Sequence, residues 1–456
     1  MKRIYTTLLA VLSLSLLLPA CQPTPAEEII VNKGDGALEE AIAATAVPSE
    51  QPLLPVDEVG QRVEHWTDEL TIRGLTCTID ADIVLPDKQV FPVYRVRQRT
   101  LDADAGAQVL DYFLVDATGA RETTRTREQV LLDLMLARKG NYVSYDGIVG
   151  VWEPYEEQEE DIARLEEELQ TIGEEEFGPV PDTVPLDMPY TYALPDGGRV
   201  RVQVSQDGLY ATAYGPYSIT QPERWVIGGE AYPGEPVGTT LQNVKLTQEE
   251  AEAAAEAFLE QGGMTYLGLA EAEKARILQD ITYETLSEGW QLTYVRSDGG
   301  CIPVYYFNQQ SGVLYQRSED YAPRWYPETL RIYVDENGAQ EIEWDRPLEI
   351  VETMNENVLL LEFDEIKEQI TQAIENGYSY VSEQMGGDGN YAVTVDRIVL
   401  TNVLVPMRDT VDYQMLVPAW LVFYKQKMGT AEPLSAFIAV NAVDGSTIDL
   451  KVRSGG

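Results

Sequence analysis

The chain has 456 residues, 44% of them hydrophobic, enough for two or three domains with cores of their own. It carries 76 acidic against 33 basic residues, a formal net charge of −43, which argues against nucleic acid or anionic lipid headgroups as partners. A single histidine, His65, excludes a zinc site with two or three His ligands, and any Ser-His-Asp or Cys-His centre would have to be built around it.

At the N-terminus, Lys2 and Arg3 precede a largely apolar run, Ile4 to Leu18, and Ala20 stands directly before Cys21. The run is too short for a membrane span and no stop-transfer segment follows. The order resembles a bacterial lipoprotein signal, in which the cysteine thiol is diacylated and the chain is cut just before it. Residues 1–20 are therefore expected to be a signal peptide. Cys21 is the expected lipidation site, and the expected location is the extracytoplasmic face of the cell membrane. Two acyl chains supply the two-signal anchoring that one chain cannot. Residues 21–59, punctuated by Pro23, Pro25, Pro48, Pro52 and Pro55, read as a tether with one short helix, Ala37 to Ala46.

Residues 60–150 read as a small α+β domain. Thr76 to Leu85 and Phe91 to Thr100 alternate as strands around the turn Pro86-Asp87-Lys88. Ala105-Gly106 is expected to turn the chain into a third strand, Gln108 to Val115. A helix follows, capped by Thr126 with Gln129 at the capping-box position and closed by Gly140. Residues 151–182 hold an acidic block in which Arg164 is the only basic residue, yet Ile162, Leu165, Leu169 and Ile172 recur at helical spacing. That is an amphipathic helix with an acidic outer face, serving as a connector.

From 183 to 330 the turn signals Pro195-Asp196-Gly197-Gly198, Gln206-Asp207-Gly208, Ser297-Asp298-Gly299-Gly300 and Gln310-Ser311-Gly312 mark hairpins. Between them Thr247 and Glu250 open a helix that Gly262-Gly263 stops. From 331 to 456, Asp335 to Gly338 turns another hairpin, and a helix runs from Asp364 to Asn376 with Gly377 at its end. Val393 to Val405, Tyr413 to Tyr424, Ser435 to Asn441 and Thr447 to Val452 read as strands, with Pro418 marking an edge or a bulge. The fold class is therefore α+β: mostly antiparallel sheets with single packed helices, in two or three tandem units.

A capped helix, a strand ending in Trp290-Gln291-Leu292 and a strand closing on the turn from Phe307 to Gly312 resemble a PepSY-type unit. The C-terminal helix, with Leu416-Val417-Pro418-Ala419-Trp420 and Ile438 to Gly445, resembles a second. Similar paired units occur in the YycH/YycI-type extracytoplasmic regulators of Gram-positive bacteria. The whole chain resembles an uncharacterised lipoprotein family of Gram-positive anaerobes whose domain is of unknown function. The resemblance implies non-enzymatic work, restraining or sensing a membrane or cell-wall protein partner.

Catalytic motifs are missing from the sequence. Leu101 to Gly106 begins like a calcium loop but lacks its third acid, its sixth-position glycine and its twelfth-position glutamate, so a turn is expected. Gly228-Gly229 and Gly386 to Gly389 lack the lysine or context of a phosphate loop. Cys77 lies in an alternating strand and is expected in the core. A bond to Cys301 is permitted by export but not demanded. No catalytic, cofactor or metal residue is assigned. The expectation is a membrane-anchored binding or regulatory module, with a carboxylate-based glycoside hydrolase or a carbohydrate-binding lipoprotein as the alternative.

Overall fold

The computed structural model describes residues 37–48, 63–72, 75–143, 151–173, 176–215, 218–228, 240–279, 282–305, 310–311, 327–385, 391–407, 410, 412–428 and 433–448. The signal segment and Cys21 lie outside the described residues. The chain begins with helix α1 (Ala37–Ala43) and strands β1 (His65–Ile72), β2 (Leu75–Val84) and β3 (Val93–Gln98). After these, one arrangement occurs three times: a helix followed by a four-stranded antiparallel meander.

The first copy runs α2 (Ala103–Leu114), β4 (Gly119–Glu122), then β7 (Tyr190–Ala193), β8 (Arg199–Ser205) and β9 (Gly208–Thr212). Between β4 and β7 it is interrupted by α3 (Arg127–Lys139), the ribbon β5 (Asn141–Val143) and β6 (Val151–Glu153), and α4 (Gln158–Thr171). Strand β10 (Ser218–Pro222) and helix α5 (Glu223–Gly228) lead to the second copy. This is α6 (Gln248–Gln261), β11 (Leu267–Gln279), β12 (Thr285–Arg296), β14 (Thr329–Asp335) and β15 (Gly338–Asp345), with β13 (Gln310–Ser311) in the connection. Strand β16 (Leu348–Asn355) precedes the third copy: α7 (Phe363–Met385), β17 (Tyr391–Pro406), β18 (Gln414–Met428), β19 (Leu434–Asn441) and β20 (Thr447–Ile448).

The first two copies share one sheet, ordered β10-β11-β12-β14-β15-β9-β8-β7-β4, and meet through their last strands, β9 and β15. Every pairing in it is antiparallel. Alternation then sends Leu292, Tyr294, Leu330, Ile332, Ile342, Trp344, Val202 and Val204 to one face, where α2 and α6 cover them. The two helices also touch: Tyr112 and Phe113 meet the Phe258 ring edge-on at 5.6 and 6.2 Å. The third copy builds a second sheet, β1-β2-β17-β18-β19-β13, to which β3, β16 and β20 add. There α7 buries Ile366, Ile370, Ala373 and Ile374 against strands β17 to β19. The class is α+β, as the patterning indicated.

The three leading strands do not form a domain with the helices that follow them. β2 runs parallel beside β17, and β3 pairs with β16 and the start of β18, whereas α2 and β4 belong to the other sheet. Likewise β14 and β15 pair with β12 and β9, so the position 330/331 falls inside the second meander. Residues 37–48, read in sequence as part of the tether, dock on the third copy. Ile42 and Ala46 are buried, Asn355 Nδ2 donates to Ile42 O at 2.5 Å, and Asn357 Nδ2 donates to Ala46 O at 3.1 Å.

Several local expectations change. Gln108 to Leu114 is helix, not strand, with Val115 in the turn that follows, and Ala105-Gly106 lies within its first turns. Gly106, Leu110 and Phe113 recur at helical spacing, and Leu110 and Phe113 are buried. The helix containing Gly377 runs on to Met385, because one glycine costs about 1 kcal/mol and does not end a helix that nothing else breaks. Pro418 sits in an interior strand. On one side of β18 the neighbour is β3 for Gln414–Leu416 and β19 from Ala419 onward, so the missing N–H falls where the ladder changes partner. Ser297 to Gly300 is a short 3-10 turn rather than a hairpin.

The two sheets are tied together where the chain passes between them. Arg99 N donates to Pro347 O at 2.7 Å, and Arg99 lies over the Trp344 ring. Beside this crossing Glu328 is fully buried. It accepts from Tyr266 Oη at 2.9 Å, Arg296 Nη1 at 2.7 Å and Trp344 Nε1 at 3.0 Å. Arg296 also donates to Leu348 O at 2.7 Å and pairs with Asp298.

Candidate functional site

The residues singled out from the sequence do not converge. Cys21 lies outside the described residues. His65 opens the edge strand β1, exposed, with both ring nitrogens on carboxylates: Asp80 at 2.8 Å and Asp82 at 2.9 Å. Those two hydrogen bonds, Asp82 first, raise its pKa above the usual imidazole value. Cys77 and Cys301 are both buried and both free, so the permitted disulfide is not formed. Burial pushes the Cys77 thiol up to about 12 and raises that of Cys301 as well. Among the described residues no group of three or more His, Cys, Asp or Glu is placed to hold a metal ion. Nor is any described helix long and apolar enough to cross a membrane.

A cleft lies on the insertion in the first copy. Thr126 and Gln129 form the full capping box that starts α3, and Gly140 closes it at φ 98°. A Cβ on Gly140 would stand 2.2 Å from Glu153 O, so glycine lets the chain reverse tightly against the ribbon. Helix α4 lies on α3 through a small core of its own: Val130, Leu134 and Ala137 against Ile162, Leu165, Leu169 and Ile172. Arg127 Nη1 donates to Leu169 O at 2.7 Å, and Gln158 Nε2 donates to Ala137 O at 2.8 Å, closing both ends of the pair. The acidic outer face expected for α4 is there, and part of it is neutralised by α3: Arg138 meets Glu166 at 2.8 Å.

Between the helices, the ribbon and Tyr283 from the β11–β12 turn lies a cleft of about 470 Å³. Arg125 reaches across it to Asp133 and, at 2.9 Å, to Glu168. Asp161 accepts from Arg164 Nη2 at 2.7 Å and from Tyr155 Oη at 3.0 Å. Arg164 and then Tyr155 hold the Asp161 carboxyl below its ordinary pKa, while burial and that same bond hold the Tyr155 phenol above its own. Trp152, 36% exposed, closes one end with the Lys139 ammonium 5.4 Å from its ring centre. Tyr283 adopts φ 56°, a backbone conformation uncommon for a bulky residue. The site thus combines aromatic faces with charges already committed to one another.

Sequence reasoning placed α3 and α4 but not the cleft. Arg125 and Asp133 are far apart in a helical count, and Trp152 and Tyr155 are ordinary strand residues in isolation. The available signal was the pair Trp152 and Tyr155 set directly before an amphipathic helix, in a stretch that read only as connector. The carboxyls whose pKa burial raises, Glu328, Glu341 and Asp345, lie elsewhere, and Glu328 and Glu341 each accept hydrogen bonds from neighbouring side chains.

No protein-family model matches the chain, and no curated protein matches it. Among solved structures it is similar to an uncharacterised protein from Eubacterium rectale, at 12% identity and a TM-score of 0.47, covering 91% of this chain and 99% of that one. It is also similar to the C-terminal domain of Bacillus megaterium YpeB, at 10% identity and a TM-score of 0.28, covering 77% and 98%.

Proposed function

We propose that this protein is a non-enzymatic binding module held by lipid on Cys21 at the extracytoplasmic face of a cell membrane, with the insertion cleft as its ligand site. The observation that carries the reading is where the cleft lies. The helix–meander unit occurs three times, and among the described residues only the first copy carries the helical insertion between its first two strands, the kind of addition by which a repeated scaffold gains a site. The cleft's acids favour binding over catalysis. A glycosidase needs one carboxyl raised toward neutrality to protonate the leaving group. Asp161 is shifted the opposite way, and Asp133 is tied to Arg125.

The anchor is supported by the order Lys2-Arg3, apolar run, Ala20, Cys21. Metabolic labelling with an alkyne fatty acid tests it, with label expected on the wild-type chain and lost in Cys21→Ala. Equal labelling of both would refute the anchor. Crosslinking of the intact chain on membranes tests the binding role. Recovery of a specific macromolecule, reduced when Trp152 and Arg164 are both replaced by Ala, is expected. Hydrolysis of a glycan by the purified chain would overturn the non-enzymatic reading.

A further inference from the structure

We infer that the insertion cleft takes an uncharged oligosaccharide, an inference that rests on the cleft being the ligand site. Charge decides first. The chain carries −43 overall, which repels polyanions such as phosphate-linked or sulfated glycans. The arginines that could answer for this locally are neutralised in place, Arg125 by Asp133 and Glu168, Arg164 by Asp161. A cation is disfavoured too, because the Lys139 ammonium already stands over the Trp152 ring. What remains is a neutral ligand with many hydrogen-bonding groups.

The polar groups suit vicinal hydroxyls. Each sugar hydroxyl donates and accepts, and a neighbouring pair spans the two oxygens of a carboxylate or the two outer nitrogens of a guanidinium. Asp161 and Arg164 present both kinds side by side, fixed by their mutual bond and by Tyr155, so little side-chain freedom is lost on binding. Arg164 keeps 60% of its side chain exposed, with donors still facing solvent. The Trp152 ring, 36% exposed beside Lys139, and the Tyr155 ring line the same cleft, and their apolar surface left open there suits the C–H side of a pyranose. A cleft of about 470 Å³ is in the range of small-molecule sites and holds one or two sugar rings.

The test is calorimetric titration of the full chain with three neutral tetrasaccharides, β-1,4-linked N-acetylglucosamine, β-1,4-linked glucose and α-1,4-linked glucose, alongside heparin as a polyanion. Binding of at least one neutral tetramer is expected, weakened about tenfold by Trp152→Ala. It should be retained in Trp152→Phe and unchanged in Trp225→Ala, a tryptophan 55% exposed on α5 away from the cleft. Should Trp152→Ala unfold the ribbon, Tyr155→Phe, which removes one hydroxyl, must still weaken binding severalfold. Failure of all three tetramers to bind overturns the inference. So does binding indifferent to Trp152 and Tyr155, or tighter binding of heparin. Crosslinking to a protein partner without any saccharide binding would refute the sugar class and leave the binding module standing.

Discussion

Glu328 offers a quantitative test of the buried network from which Arg296 reaches across to the other sheet at Leu348 O. Its carboxylate is wholly buried and receives three donors, from Tyr266, Arg296 and Trp344. Glu328→Ala strands those donors and leaves Arg296 with Asp298 and Leu348 O alone. Each stranded buried donor costs about 1–3 kcal/mol, and breaking a buried ion pair about 3–5 kcal/mol in all. A loss of about 4 kcal/mol is therefore expected. For a cooperative unit of 150–250 residues this lowers the thermal midpoint by roughly 8–16 °C. Arg296→Met should cost a similar amount, and the double substitution far less than the sum, a coupling of at least about 2 kcal/mol. Urea unfolding followed by tryptophan fluorescence, to which Trp344 contributes, measures all three. A loss below about 1 kcal/mol for Glu328→Ala, or additivity of the two substitutions, would show that the network does not hold the junction.

Other expectations are local. Because the chain has one histidine, its Cε1–H proton resonance titrates alone. The folded pKa of His65 should lie above 6.5, so the stability contributed by its charged form is complete below that pH and is lost as pH rises through the folded value. Asp82→Asn should move the titration down, and an unmoved curve would disprove the pairing. Asn355→Ala together with Asn357→Ala should release residues 37–48, read as faster proteolysis there with the core of the third copy unchanged. Gly140→Ala, placing a methyl against Glu153 O at a positive φ, should cost at least about 1–3 kcal/mol, confined by hydrogen exchange to residues 127–171. In the native state Cys77 and Cys301 should resist a thiol reagent until unfolding, since both are buried and their thiolates disfavoured. Fast native labelling of either would contradict that burial.

What was legible in the sequence was whatever short-range chemistry decides. The capping boxes at Thr126 and Thr247 place α3 and α6 to the residue, and the alternation from Val393 to Asn441 yields β17 to β19. Asp335 to Gly338 turns its hairpin as its residues require. The segment at Gln108 misled because a helix with apolar residues close together mimics a strand over eight residues. Pairings such as β2 with β17 were out of reach, since nothing local in Thr76 to Leu85 names a partner more than three hundred residues away. The cleft was hidden for the same reason: its geometry depends on two helices folding back on each other, which fixes Arg125 against Glu168.

That pairing of β2 with β17 has a consequence for the order in which the molecule is completed. Strands β1 to β3 emerge early from any machine that feeds the chain from its N-terminus, yet β2 must wait for β17, and β3 for β16 and β18. Until the last hundred residues arrive, the β1–β2 hairpin offers an open edge and the apolar side chains of Cys77, Ile79 and Ala81 to whatever is nearby. Closure of so long a loop is slow. The interval before it is the chain's exposure to mispairing with its own copies, and a truncation that removes β17, ending the chain before Tyr391, prolongs it indefinitely.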